Sequence, residues 1–298
     1  MWRRSLSLVL VLLTVPALAA QDSRSNADAD SAYALASAAY DKEDFDRAKD
    51  LVEQALKQKP DNCEYHHLLG GIQGARAARA PIFSKFGTAK SCKQHFERAV
   101  ELCPDSIEYL RSLLEYHRQA PGIAGGDKKE AARLLERIFV LDSSAGFWTK
   151  ASIAAEDKDY GLAEGIYQEM LRTGRDTVTV LSALGGMIAS QSKDYTRARA
   201  FYLRALAADP GNQSVNYQVA RLAVLSKQDP REAITRLHDY LSHPEQPNQP
   251  DHAAAYWRMW MAYELVGNPD SARLCYQSSL QRRPGYEDAK KLLEALGK

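Results

Sequence analysis

The sequence predicts an all-α fold: an α-solenoid of about seven helix-turn-helix units, closed by a C-terminal capping helix. Two observations predict it. From Ser31 onward, small or apolar residues recur every three or four positions, which is the helical period. An aromatic residue, two alanines and a proline also return in phase along the chain, as stacked supersecondary units require. Composition is that of an ordinary globular chain, with 298 residues, 45% hydrophobic and 26% charged. Length alone would suggest about two domains, but a repeat array overrides that prior.

The first element reads as a targeting segment. Trp2-Arg3-Arg4 is a short positive stretch, Leu6 to Val15 an apolar run, and Pro16 breaks it. Ala17-Leu18-Ala19 then offers small residues at the two sites a signal peptidase reads. The pattern predicts a signal peptide over residues 1–19, a disordered linker over 20–28 and the repeat array over 29–298. An uncleaved anchor is the alternative, but Ser5 to Gln21 is short against the roughly 20 apolar residues a span needs. No Cys flanks the cleavage site, which argues against a lipoprotein anchor. The mature chain is expected to be periplasmic or secreted, without a membrane span.

Ser31 to Asn62 contains two amphipathic stretches separated by Asp41-Lys42-Glu43-Asp44. Phe45 opens the second stretch, Ala48 and Ala55 follow, and Pro60 ends the unit. These residues resemble the tetratricopeptide repeat (TPR), a 34-residue helix-turn-helix unit. The family places an aromatic at the start of the second helix, alanines where two helices approach, and Pro at the end. Tyr195, Ala198, Tyr202, Ala205 and Pro210 form a second copy, preceded by Gly185-Gly186 where the family places a small residue. Tyr160, Ala163 and Tyr167 form another. Ala272, Tyr276 and Pro284 form a further one, with Gly267-Asn268-Pro269-Asp270 as its inter-helix turn.

Pro60 and Pro104 are 44 residues apart, about ten more than the period. The second unit therefore holds an insertion, placed at Ala80 to Gly87 before a second helix carrying Cys92, Phe96 and Ala99. The third unit has a smaller insertion at Ala120 to Gly126. The sixth, Tyr217 to Leu241, is degenerate. Tyr286 to Leu296 remains as the polar-faced cap such arrays need.

Little in the chain suggests chemistry. Net charge is +1, falling to about −1 once Arg3 and Arg4 leave with the leader, and no basic stripe offers a footprint for nucleic acid. The run Pro121 to Lys129 is Gly-rich and opens a helix, as phosphate loops do. It lacks the phosphate-loop spacing, and Asp127 sits where an anion would bind, as a helix N-cap. His66 and His67 point about 100° apart on a helix, so both cannot readily ligate one metal. The remaining histidines are scattered, and no Ser or Cys has a nucleophile context. The reading is therefore no enzyme, no cofactor and no metal.

Export permits disulfides. Of the four cysteines, Cys92 and Cys275 read as buried thiols. Cys63 begins the first helix of unit two and Cys103 follows its second. Antiparallel helices bring these ends to one side, which allows a Cys63–Cys103 disulfide if the Cα atoms come within about 7 Å.

The TPR resemblance implies that the first helix of each unit lines a concave groove that holds a peptide or protein partner. By register, the groove residues are Tyr33, Tyr40, His67, Arg111, Arg118, Trp148, Met187, Tyr217, Arg221, Trp257 and Met261. Aromatics, Met and Arg are enriched where protein surfaces meet. Glu108 and Glu115 lie near the two arginines and could pair with them. The expected role is a scaffold in assembly or organisation of an envelope complex, with self-association as a second binding mode. The alternative is a ligand- or metal-binding accessory to an enzyme, using the 81–87 or 122–126 loop.

Overall fold

The computed structural model describes residues 15–174 and 176–285. These form fourteen α-helices and one short 3-10 turn, with no strand among the described residues. The chain divides into two compact units, Met1–Thr149 and Lys150–Lys298.

The first unit holds α1 (Val15–Asp41), α2 (Phe45–Gln58), α3 (Cys63–Arg79), α4 (Ile82–Leu102), α5 (Ile107–Gln119) and α6 (Lys128–Leu141), and reaches into α7 (Ser143–Glu156). The second continues through α8 (Tyr160–Arg172), α9 (Thr177–Gln191), α10 (Tyr195–Ala208), α11 (Gln213–Ser226), α12 (Pro230–Ser242), α13 (His252–Leu265) and α14 (Pro269–Arg282). Within the first unit α1 pairs with α2, α3 with α4 and α5 with α6, and α2 meets α3 and α4 meets α5. Within the second α9 pairs with α10, α11 with α12 and α13 with α14, joined by contacts of α8 with α9, α10 with α11 and α12 with α13.

The turns explain why the helices stop where they do. Glu43, Lys158 and Lys193 each adopt left-handed backbone, with φ of 60°, 62° and 54°. Each is followed by an aspartate whose carboxylate accepts a backbone N–H of the next helix: Asp44, Asp159 and Asp194. The last hairpin repeats the device with Gly267 (φ 71°) before the Asn268 cap. Such caps contribute about 1 kcal/mol each.

The in-phase alanines are core residues, as their role in the repeat requires. Ala48, Ala55, Ala163, Ala198, Ala205 and Ala272 are fully buried. In the first unit they join Val52, Tyr65, Leu69 and Ile72. In the second, one cluster surrounds Leu181, Tyr202 and Val219, and another surrounds Tyr217, Leu237, Trp257 and Trp260. Gly185 lies so close to Tyr202 that an added Cβ would stand 2.7 Å from the ring, so the small residue sets the helix spacing.

The second repeat absorbs its extra residues as helix. Residues 82–87, expected as an insertion before the second helix, form the first turns of α4, which reaches 21 residues. Pro81 permits this, because the position before a helix needs no backbone N–H. Residues 20–28, expected as a linker, lie within α1. Residues 1–14 of the leader and the Tyr286 to Leu296 cap fall outside the described residues. No described helix is long and apolar enough to cross a membrane.

Cys63 and Cys103 are joined in a disulfide, with Cα atoms 6.0 Å apart. Cys92 and Cys275 are free and buried. Burial pushes the Cys92 thiol up to about 12 and that of Cys275 to about 11, so both are protonated and unreactive at neutral pH.

Candidate functional site

In the first unit, α1, α3 and α5 present a connected row of side chains. The Tyr33 hydroxyl donates to Glu64 Oε1 at 2.9 Å, and its ring stacks on Tyr65 with centroids 4.9 Å apart. About two turns along α1, Tyr40 leans on Phe45 and brings its hydroxyl 3.7 Å from where a Cβ of Gly71 would stand. Across the next gap, His67 Nε2 lies 2.8 Å from Ser112 Oγ, and its ring sits 4.6 Å from that of Tyr109. Glu108 Oε1 is 3.6 Å from His67 Nδ1.

Electrostatics on this face follow from burial. Desolvation lowers the pKa of His67 against the opposing pull of Glu108 and Glu64, which leaves a neutral hydrogen-bonding imidazole at pH 7. Desolvation, reinforced by Glu64, raises the Tyr33 phenol. Arg118 spends its charge on Glu115, whose two oxygens accept at 2.9 and 2.8 Å. Arg111, on the same helix, is exposed. Trp148 is half-buried on α7.

The second unit differs. Met187, Arg221 and Met261 are half-buried, with Arg221 Nη1 donating to Gln218 at 3.3 Å and the Met261 sulfur accepting from Arg258 at 3.4 Å. Tyr217 and Trp257, expected on an open wall, are each only 4% exposed and belong to the core. Tyr217 packs 5.2 Å from Tyr240, and Trp257 packs 4.7 Å from Trp260. The physical reason is that α11 and α13 contact each other and share one core cluster with α12 and α14, which takes in both rings. Their side chains hold the stack together and are not open to a partner.

Glu64, Tyr109 and Ser112 were missed by the sequence reading. Glu64 lies three residues before His67 and so shares its helix face, a signal the register could have given. Ser112 and Tyr109 are recognisable only from the packing of α5 on α3.

The 122–126 loop is a closed turn. Its backbone N–H groups are consumed internally: Ala124 and Gly126 donate to Pro121 O, and Gly125 donates to Gly122 O. Asp127 Oδ1 accepts from Lys129 N and Glu130 N at 2.8 and 3.3 Å, so the start of α6 is capped by its own carboxylate. Gly126 is required sterically, since an added Cβ would stand 1.8 Å from Ala120 O. A cavity of about 690 Å³ beside it carries both signs of charge, including Lys93, Glu97, Glu130 and Arg133. These pair among themselves, Lys93 with Glu97 at 3.3 Å and Arg133 with Glu130 at 2.6 Å. Among the described residues, no three His, Cys, Asp or Glu side chains gather closely enough to hold a metal ion.

The family profile described as tetratricopeptide repeat matches residues 33–73 and 149–213. No curated protein matches the chain. Among solved structures, the chain is similar to a tetratricopeptide repeat protein from Parabacteroides merdae, at 13% identity over 90% of this chain and 98% of that one, with a TM-score of 0.49. It is similar to YrrB, a TPR protein with an unusual peptide-binding site, at 15% identity over 67% of this chain and 97% of that one, TM-score 0.46. A monomeric mutant of IFIT1 with m7Gppp-AAAA aligns at 14% identity over 85% of this chain and 59% of that one, TM-score 0.52. The last of these, with its TM-score above 0.5, speaks to fold alone, and function must come from the residues.

Proposed function

Because this chain is built on tetratricopeptide repeats, we propose that it is an exported scaffold whose first unit binds a peptide or protein segment along α1, α3 and α5. One observation carries the reading: Tyr40 on α1 and His67 on α3 are partly exposed and Arg111 on α5 is exposed, while Tyr217 and Trp257 of the second unit are buried. Aromatic and Arg side chains are the types that anchor protein partners. Neutral His67 and Ser112 supply hydrogen-bonding groups for a polypeptide backbone, and Arg111 supplies the fixed positive charge.

The periplasm is the proposed compartment, and organisation of an envelope complex the proposed role. The Cys63–Cys103 bond supports an oxidising environment, as does the leader-like start of the sequence. A protein is favoured over nucleic acid because net charge is near zero. We read no catalytic role for any residue.

Fractionation of cells expressing the full chain, with intact mass of the purified product, tests the compartment. The expected product begins at Ala20, is two hydrogens lighter than its fully reduced form, and comes from the periplasm. A cytoplasmic product with the leader intact and four free thiols would refute the reading.

A further inference from the structure

The antiparallel pairing of α3 and α4 brings together two histidines 29 residues apart in sequence, His66 and His95. Their Nδ1 atoms lie 3.1 Å apart. We propose that His66 and His95 form a binding site for a divalent transition-metal ion of the class imidazole favours, such as zinc, copper or nickel.

Tautomers decide what this pair can do. His66 Nε2 lies 2.9 Å from the Pro60 carbonyl oxygen, which can only accept a hydrogen bond. The proton of a neutral His66 therefore sits on Nε2, and the Nδ1 lone pair faces His95. A backbone carbonyl fixing the far nitrogen of an imidazole is the outer-shell arrangement that orients histidine ligands in metal sites. In the metal-free chain, His95 Nδ1–H donates to that lone pair. On metal binding, the His95 proton moves to Nε2 and both Nδ1 lone pairs turn to the ion, so no proton is released.

The spacing suits coordination. Two nitrogens at about 2.0–2.1 Å from a tetrahedral zinc stand about 3.3–3.4 Å apart, so the pair needs to open by only a few tenths of an ångström. At His95, burial disfavours the protonated form and so leaves a lone pair available. Desolvation lowers His95 to about 4, with the neighbouring His66 adding to the effect. Three helices contribute the surroundings: His66 from α3, His95 from α4, and from α2 Glu53, whose charge acts on His95 while its carboxylate pairs with Lys49 at 2.8 Å. The protein supplies two ligands and solvent the rest, which makes this an exchangeable site.

The test is zinc titration of the chelator-treated full chain by calorimetry at pH 7.5, in the wild type and in His66→Gln, His95→Gln and His238→Gln. Glutamine retains hydrogen bonding but ligates zinc poorly. The expected result is one zinc per chain, with affinity reduced more than about tenfold in His66→Gln and His95→Gln, the loss that even an outer-shell change causes. The exposed control His238→Gln binds as the wild type does. Equal binding by all four proteins would assign the zinc to scattered surface imidazoles and overturn the proposal, as would no binding by the wild type. Imidazole ¹⁵N spectra of the wild type add a readout independent of variant folding. Zinc is expected to shift the Nδ1 signals of His66 and His95 together, and unmoved signals would also overturn the proposal.

Discussion

Cys63 at the first residue of α3 is bonded to Cys103 at the end of α4, across 40 residues of chain. The bond ties the base of the second repeat, the unit whose second helix absorbs the inserted segment and reaches 21 residues. Closing a loop of that length restricts the unfolded chain and contributes about 2–4 kcal/mol. Urea unfolding of the wild type against Cys63→Ser/Cys103→Ser should show a loss of that size. Reductant should destabilise the wild type and leave the double variant unmoved.

The inter-helix turns predict an asymmetry between residue types. Gly267 and Lys193 occupy equivalent left-handed positions, which cost an L-residue about 1–2 kcal/mol. Gly267→Ala should therefore lower stability by about 1 kcal/mol, whereas Lys193→Gly should be neutral or stabilising. Thermal melts of the two variants check both signs.

Stability should fall on mild acidification. Burial lowers the pKa of His67, His95 and His117. Each takes up its proton more readily once unfolded, so the unfolded state gains protons first as pH drops. For His95 the loss begins near its ordinary value of 6.5 and is complete at about 4, where both states are protonated. Melting temperatures between pH 7 and pH 4 should decline along this window, and His95→Gln should flatten the slope.

Trp257 and Arg111 separate core from surface. Trp257→Ala removes a buried ring packed on Trp260 and Tyr276 and should cost about 3–5 kcal/mol. Arg111→Ala removes an exposed side chain and should change stability by less than about 0.5 kcal/mol. Chemical denaturation of the two variants measures the difference.

Much of the fold was legible because each repeat states its own geometry. Phe45, Ala48, Ala55 and Pro60 mark a helix pair through local period and helix-ending chemistry, and those residues take the places their pattern implies. The candidate face was legible only in part. Register gives the direction of a side chain from its own helix but not how closely the next first helix approaches. Tyr40 and Trp257 carry comparable signals, yet only Trp257 is buried, in the core cluster that α11 and α13 share with α12 and α14. The His66–His95 pair was hidden for another reason. Its register depends on α4 starting at Ile82, inside a segment that reads as an insertion.

Photocrosslinking in living cells reports directly on which face receives a partner. A photoreactive residue is placed in turn at Tyr40 and Arg111 on the first-unit face, and at Val140, an exposed outer position with 85% accessibility, as the control. The scaffold reading predicts a discrete crosslinked band from positions 40 and 111, absent at 140 and weakened by His67→Ala. Adducts arising only at Val140, or none at any position under conditions where the chain is folded and exported, would contradict it.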